Sequence, residues 1–220
     1  MSGVRRERSL LEVKLWGEYA CFTRPEMKVE RVSYPIMTPS AARGALEAIY
    51  WKPEVVWRVA EIDVLKPIEY ASILRNEITD RQSVRSARAW TGDGDGYDAS
   101  AHRAQRHTLA LRDVAYVVRA QLDLRPGVDD HIAKHRDQFR RRVARGQGFA
   151  TPYLGCREFS ASFGVPDGAD TPIERSEDLG LILLDIDYAP DGSGRGVPRF
   201  FPASLDHGVV RVPDRFAGAD

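Results

Sequence analysis

The chain has few cysteines and lacks a long apolar segment. Cys21 and Cys156 are the only two cysteines in 220 residues. They lie far apart in apolar surroundings and match no zinc-ligand spacing, which indicates two reduced, buried thiols rather than a disulfide scaffold. No apolar run is long enough to span a bilayer, and the basic N-terminus lacks the apolar core and cleavage site of a signal peptide. These absences predict a cytoplasmic protein.

Several common functional motifs are also missing. The sequence contains no phosphate-cradling P-loop, no dinucleotide fingerprint and no nucleophilic serine elbow. Asp93-Gly94-Asp95-Gly96 resembles half of a calcium loop, but the later glutamate is absent. His131 and His135 have the i, i+4 spacing of two metal ligands on a helix, but no third ligand has a convincing spacing. We therefore predict neither a metal nor a cofactor.

The formal net charge is zero, but the charges are unevenly distributed. Residues 167–220 carry 11 acidic and 5 basic side chains, so residues 1–166 carry the opposite excess. Arginine dominates the basic clusters, and its planar fork binds phosphate and stacks on bases, which favours a nucleic-acid partner over a merely solvated face. The expected RNA-binding residues are Arg43, Lys52, Arg81, Arg85, Arg88, Arg103, Arg140, Arg141, Arg142 and Arg145.

Hydrophobic periodicity predicts an α+β fold. Strand patterns cover residues 11–22, 55–65 and, most clearly, 114–124, and a further hairpin strand is expected over 68–78. Residues 79–104 have no steady period, as in a long functional or mobile segment. A basic helix is expected to run to about Arg145, with Asp129 or Asp130 as its cap. The β-α-β-β order, followed by a second helix and a strand, predicts a ferredoxin-like (RRM-like) domain.

The last third of the chain predicts additional sheet. Residues 179–188 form an apolar strand pattern, and Phe200-Phe201 and residues 209–212 suggest more sheet. A stretch with glycines at 146 and 148 precedes this region. We expect a ferredoxin-like domain over 1–147 and a small antiparallel β-sheet subdomain over 148–220.

A capped helix near residue 40 is the most informative segment. In YPIMTPSAARGALEAIYWKP (residues 34–53), Ser40 is the expected N-cap and Pro53 stops the helix. Apolar residues at i, i+3, i+4 and i+7 form one stripe, with Tyr50 on its edge. Its ring is expected to pack while its hydroxyl stays free, although a rim tyrosine that only packs is the simpler interpretation.

This segment resembles the first helix of the CRISPR-associated RAMP superfamily, in its "Cas five" branch. The closest resemblance is to the type I-C (Dvulg) member, which matures precursor CRISPR RNA. QRHTLALRDVAY (105–116) and TPYLGCREF (151–159) carry the same resemblance, so it spans most of the chain. The second of these motifs is expected to join the domains, since Gly155 suits a turn and its apolar neighbours can pack.

The resemblance implies a set of catalytic residues. Carried over by position, these are Tyr50, Arg106 and His107, where the family often has lysine in place of Arg106. Metal-independent RNA cleavage needs a base for the 2′-OH, a cation for the phosphate and an acid for the leaving 5′ oxygen. Histidine titrates near neutral pH, and arginine is a poor proton donor. Which residue is the acid and which is the base remains open. His102 is an alternative to His107. For either histidine, the simpler interpretation is a structural role without catalysis.

The resemblance therefore implies a metal-independent endoribonuclease that cuts the repeat hairpin of precursor CRISPR RNA and leaves a 2′,3′-cyclic phosphate. It would keep the 5′ handle and remain in the type I-C surveillance complex, or Cascade, beside the backbone and large subunits. The alternative is a non-catalytic scaffold that only binds the 5′ handle. Binding of double-stranded DNA is open, and the sequence does not specify the repeat or the cut position.

Overall fold

The computed structural model describes residues 10–80, 83–90, 96–189 and 191–214. The strands are β1 (Leu11–Ala20), β2 (Arg31–Val32), β3 (Val55–Val64), β4 (Tyr70–Ile78), β5 (Arg103–Leu124), β6 (Ser162–Gly164), β7 (Glu177–Tyr188), β8 (Gly196–Leu205) and β9 (Val209–Arg211). The helices are α1 (Pro39–Ile49), α2 (Val84–Trp90) and α3 (Ile132–Arg145). The predicted mixture of helix and strand is confirmed, and antiparallel sheet dominates it.

The main sheet has the order β6-β1-β5-β3-β9, in which every neighbouring pair is antiparallel. Alternate residues of β1, such as Leu11, Val13 and Leu15, are fully or almost fully buried. They join the apolar faces of α1 and α3 in one core. Within it, the rings of Trp57 and Phe139 lie 4.8 Å apart, and burying each large apolar side chain contributes about 1.5–3 kcal/mol.

Strand β5 is much longer than the sequence pattern indicates, because it begins at Arg103 rather than near residue 114. Its first half pairs with β4, from Ile78 opposite Arg103 to Tyr70 opposite Leu111, and together they form a two-stranded arm. The side chains of β4 alternate between exposed and half-buried. The expectation of irregular structure over residues 79–104 is therefore wrong for residues 103 and 104, which belong to β5. It is also wrong for residues 84–90, which form α2.

Helix α1 is confirmed, but its predicted cap is wrong. Thr38, not Ser40, is the N-cap, and its hydroxyl accepts a hydrogen bond from the Ala41 backbone N–H at 3.3 Å. Pro39 occupies the first helical position, where its missing N–H costs nothing and its fixed φ suits the helix. The basic helix is confirmed as α3, but its N-cap is His131 rather than Asp129 or Asp130. Its C-cap, Gly146, has a left-handed conformation, φ 62°.

The C-terminal strands divide between two sheets. β7 and β8 form a separate two-stranded antiparallel sheet, whereas β6 and β9 join the edges of the main sheet. The division of the chain into domains at residues 147 and 148 stays a prediction. The two thiols are free, with Cys21 buried and Cys156 half-buried, and the Thr23 hydroxyl contacts both sulfurs at 3.5 and 3.7 Å.

Candidate active site

The end of helix α1 places Tyr50 inside the protein. Tyr50 is the C-cap residue, and its backbone N–H donates to the Leu46 carbonyl at 2.8 Å. Its own carbonyl accepts from the Trp57 indole at 3.0 Å. Tyr50 is 0% exposed, so the expectation of a free hydroxyl is wrong.

The hydroxyl of Tyr50 is bonded to a histidine of helix α3. It lies 2.7 Å from Nδ1 of His135, which is 2% exposed. The other ring nitrogen, Nε2, lies 3.0 Å from Oδ2 of Asp130. These three side chains form a continuous hydrogen-bonded chain from the residue before the α3 N-cap to the end of α1. Both nitrogens of His135 are thus engaged inside the protein, which argues against metal binding by His131 and His135.

The surroundings of this chain set its protonation. Burial raises the pKa of the Tyr50 phenol above its ordinary value. The hydroxyl is therefore protonated at neutral pH and shares a hydrogen bond with Nδ1 of His135, in which the donor depends on the imidazole tautomer. The Lys134 ammonium, 2.8 Å from Asp130, is the main reason that the pKa of this carboxyl falls to about 2. Asp130 is consequently an anion that holds the imidazole in one orientation.

Two cations lie next to Tyr50 and His135. The guanidinium carbon of Arg142 is 5.2 Å from the centre of the Tyr50 ring, and its Nη1 donates to the Ile49 carbonyl at 2.7 Å. Lys134 is exposed beside His135. A hydroxyl, an imidazole with an orienting carboxylate and two cations are the groups that general acid–base cleavage of RNA requires.

The structure does not bring Tyr50 and His107 together, so the expected geometry of that pair is wrong. Tyr50 is bonded to Trp57, which pairs with Leu122 near the end of β5. His107 lies fifteen residues earlier, on the arm, opposite Leu74. At about 3.3 Å per residue this separation is roughly 50 Å along the strand. The imidazole bonded to Tyr50 comes from α3 instead.

The arm gives Arg106 and His107 different surroundings. Arg106 forms an ion pair with Glu30 at 3.6 Å, and the backbone N–H of His107 donates to the same carboxylate. The His107 side chain is exposed. His102, the alternative, lies 2.7 Å from Asp80 and stacks on Tyr97. The catalytic roles of Arg106 and His107 stay predictions.

The sequence contained a signal for His135 that the motif comparison missed. His135, Phe139 and Val143 follow one another at i, i+4 and i+8, and they are the buried residues of α3. A histidine on the apolar face of a basic helix needs a polar partner within the core. Tyr50, at the edge of the apolar stripe of α1, is a matching partner.

The expected RNA-binding residues divide into exposed and internally paired groups. Arg43 is bound by Glu47 and Asp185 at 2.9 and 2.8 Å, and Arg142 is half-buried beside Tyr50. Arg81 lies outside the described residues. The exposed ones are Lys52, Arg85, Arg88, Arg103, Arg140, Arg141 and Arg145. Three of these, Arg140, Arg141 and Arg145, lie on α3 with His135.

A groove of about 750 Å³ runs from Trp51 along β3 to Pro213. Three of its arginines, Arg43, Arg58 and Arg211, are paired with carboxylates, and Arg58, for example, lies 2.7 Å from Asp123. Arg125 donates to the Pro53 carbonyl instead. The charge of this groove is therefore mixed, and it does not favour an anion. Within the described ranges, no three histidine, cysteine or acidic side chains cluster as metal ligands, and no helix of that part is long and apolar enough to cross a membrane.

Comparison with known families gives a match over nearly the whole chain. The family described as "CRISPR-associated protein (Cas_Cas5)" matches residues 10–213. A protein of Thermus thermophilus, named CRISPR pre-crRNA endoribonuclease Cas5d, is 44% identical over 92% of this chain and 91% of its own. A protein of the same name from Mannheimia succiniciproducens is 43% identical over 94% of this chain and 96% of its own.

Solved structures share the fold at lower identity. One described as a CRISPR-associated protein has a TM-score of 0.67 and 22% identity, covering 94% of this chain and 92% of its own. A functionally uncharacterized protein from Streptococcus mutans has a TM-score of 0.65 and 20% identity, covering 93% and 92%. A chain of a CRISPR RNA-guided surveillance complex has a TM-score of 0.50 and 15% identity, covering 93% and 91%.

Proposed function

Because this chain belongs to the CRISPR-associated Cas5 family, we propose that it is an endoribonuclease that cleaves precursor CRISPR RNA. Two relatives at 43 and 44% identity are named for this activity, and they align with more than nine-tenths of the chain. The observation that supports a particular active site is the 2.7 Å hydrogen bond between Tyr50 and His135. It joins two proton-transfer groups beside Lys134 and Arg142.

The proposed reaction needs neither water nor a metal. One group removes the proton from the ribose 2′-OH, and this oxygen attacks the adjacent phosphorus. The bond from phosphorus to the 5′ oxygen breaks, a second group protonates that oxygen, and a 2′,3′-cyclic phosphate remains. His135 and Tyr50 are the proposed proton-transfer groups, and Lys134 and Arg142 stabilise the negative charge that develops on the phosphate.

Asp130 has a positioning role in this proposal. Its carboxylate lies 3.0 Å from Nε2 of His135, so it fixes the ring and stabilises the imidazolium that forms when Nδ1 accepts a proton. Tyr50 and His135 are both buried, so RNA must open the covering side chains before the hydroxyl meets the scissile ribose. Which of the two is the acid and which the base is open.

Several finer predictions accompany this proposal. The order β1-α1-β3-β5-α3-β6 supports a ferredoxin-like unit, with β2 and β4 as insertions. Mature CRISPR RNA and the backbone and large subunits of a type I-C Cascade are the proposed partners, double-stranded DNA is a further candidate, and the cytoplasm is the predicted location. Arg106 and His107 remain candidates for catalysis or for RNA contact from the arm.

Cleavage of repeat RNA in EDTA tests the proposal. We expect purified protein to cut a repeat hairpin at one position without a divalent metal and to leave a cyclic phosphate end. A 2′-deoxy nucleotide at the scissile position should abolish cutting while binding persists, because only the nucleophile is removed. Intact RNA after long incubation with excess protein would instead favour the scaffold that binds the 5′ handle without cutting it.

A further inference from the structure

Two large aromatic side chains are exposed next to the Tyr50–His135 pair. Trp51, the residue after Tyr50, is 48% exposed, and Phe149 is 64% exposed. Their ring centres lie 6.0 Å apart with 33° between the planes, which is direct contact between rings. They therefore present one continuous apolar surface to solvent, larger than that of either ring alone.

Hydrogen bonds hold both rings at the end of α1. The backbone N–H of Phe149 donates to the Ile49 carbonyl at 3.2 Å, and that of Ala150 donates to the Ala48 carbonyl at 2.8 Å. The Ile49 carbonyl also accepts from Arg142. The segment after α3 is thus bound to the helix end that carries Tyr50, so the aromatic surface is fixed relative to the proposed reacting groups.

Exposed cations flank both aromatic residues in the sequence, and Trp51 also borders the mixed-charge groove along β3. Lys52 follows Trp51 and is exposed, and Arg141 and Arg145 are exposed on the last turns of α3, shortly before Phe149. An apolar surface rimmed by cations suits a nucleotide, whose base stacks on aromatic rings while its phosphate meets the cations. An apolar protein segment would gain nothing from those cations.

We infer that Trp51 and Phe149 form a stacking subsite for an unpaired RNA base beside the scissile phosphate. The base stacks on the outer face of the pair, because rings 6.0 Å apart leave no room between them. The position of this subsite relative to the cut rests on the proposed function. It makes the two aromatics positioning residues, which hold the RNA chain while Tyr50 and His135 act.

The test uses repeat RNAs with one 2-aminopurine at each unpaired position in turn. A 2′-deoxy nucleotide at the scissile position prevents cutting during the measurement. We expect the wild-type protein to quench the fluorescence at one or two positions, as stacking on indole does. Trp51→Ala and Phe149→Ala should relieve the quenching and weaken binding about 5- to 150-fold. Trp51→Phe should retain most of both, and Tyr188→Ala, an exposed aromatic of the separate sheet, should change neither.

The outcomes separate this subsite from the nuclease proposal. If the protein cuts no RNA but its quenching depends on Trp51, the stacking subsite is supported and the nuclease proposal is wrong. Normal cutting with unchanged quenching and affinity in both alanine variants overturns the subsite alone. Loss of binding to another subunit of the complex, with RNA binding intact, also overturns it and shows that the surface binds protein.

Discussion

The Tyr50 hydroxyl lies 2.7 Å from Nδ1 of His135, although 85 positions separate the two residues in the chain. The bond joins the C-terminal end of α1 to the second turn of α3. Both side chains are buried, so each satisfies the other's polar atom within the core. The same contact therefore stabilises the packing of two helices and prepares a hydroxyl and an imidazole for proton transfer.

Replacing either partner should reduce cleavage more than binding. We expect His135→Ala to lower the single-turnover cleavage rate about 10²- to 10⁴-fold, the usual contribution of a general acid or base. Tyr50→Phe keeps the buried ring but leaves Nδ1 without its partner, and it should also cost about 1–3 kcal/mol of stability. Single-turnover kinetics and RNA titration measure the two effects, with urea unfolding as a check on the fold.

Two histidine controls make this result specific. His131→Ala removes an exposed imidazole from the start of the same helix and should leave the rate unchanged. His107→Ala tests the assignment that the motif resemblance favours. A rate that falls with His107→Ala and survives His135→Ala would reverse the geometric assignment.

The Asp130 carboxylate should contribute stability in a defined pH range. Its pKa is about 2 in the folded protein, against about 3.9 in an unfolded chain. Because the folded value is the lower one, the contribution is complete above about pH 4 and disappears as the pH falls towards 2. Asp130→Asn should therefore destabilise the protein at pH 5 and 7, by an amount that shrinks on acidification.

Urea unfolding at several pH values measures this dependence. Asp129→Asn is the matched control, because it removes the same charge from an exposed neighbour. A destabilisation by Asp130→Asn that stays constant from pH 7 to pH 3 would mean that the carboxylate is not held ionised by Lys134 and the α3 N-terminus.

The sequence predicted elements whose side chains alternate between core and solvent. Residues 55–65 are rich in β-branched side chains and the helix near residue 40 has a clear apolar period, and the structure confirms both elements. The strand expected over 68–78 is confirmed as β4, but its partner, the first half of β5, was missed because residues 103–108 are almost all polar and show no apolar period. Pairing between strands, not burial, defines those residues, and periodicity does not report pairing.

The candidate site was half predictable for a related reason. Tyr50 was identified through the family resemblance of the α1 segment, but its partner depends on how α3 packs against that helix. A motif match chose His107, which precedes a strand, because histidine beside arginine suits the chemistry. The better local signal was the burial of His135 between Ile132 and Phe139 on α3, since a buried imidazole requires a polar partner.

Arginines on the exposed face of α3 should contribute to RNA binding through charge. Arg140→Ala and Arg141→Ala should each weaken binding and reduce the slope of log affinity against log salt by about 0.7 per lost phosphate contact. Arg195→Ala is the control, because this side chain is 83% exposed in the loop between β7 and β8, outside the main sheet. If the slope of log affinity against log salt is the same in all three variants, α3 is not the RNA surface.

The turn in the 151–159 motif requires glycine at position 155, so a side chain there should destabilise the protein. Its φ is 84°, and an added Cβ would lie 2.1 Å from the Cys21 carbonyl oxygen. Gly146 at the end of α3 has a similar φ, 62°, but no atom within 4 Å of its Cβ position. Both alanine variants should lose about 1–2 kcal/mol to the left-handed backbone, and Gly155→Ala should lose about 1–3 kcal/mol more to overpacking. Urea unfolding compares the two, and equal losses would mean that the contact with Cys21 relaxes freely.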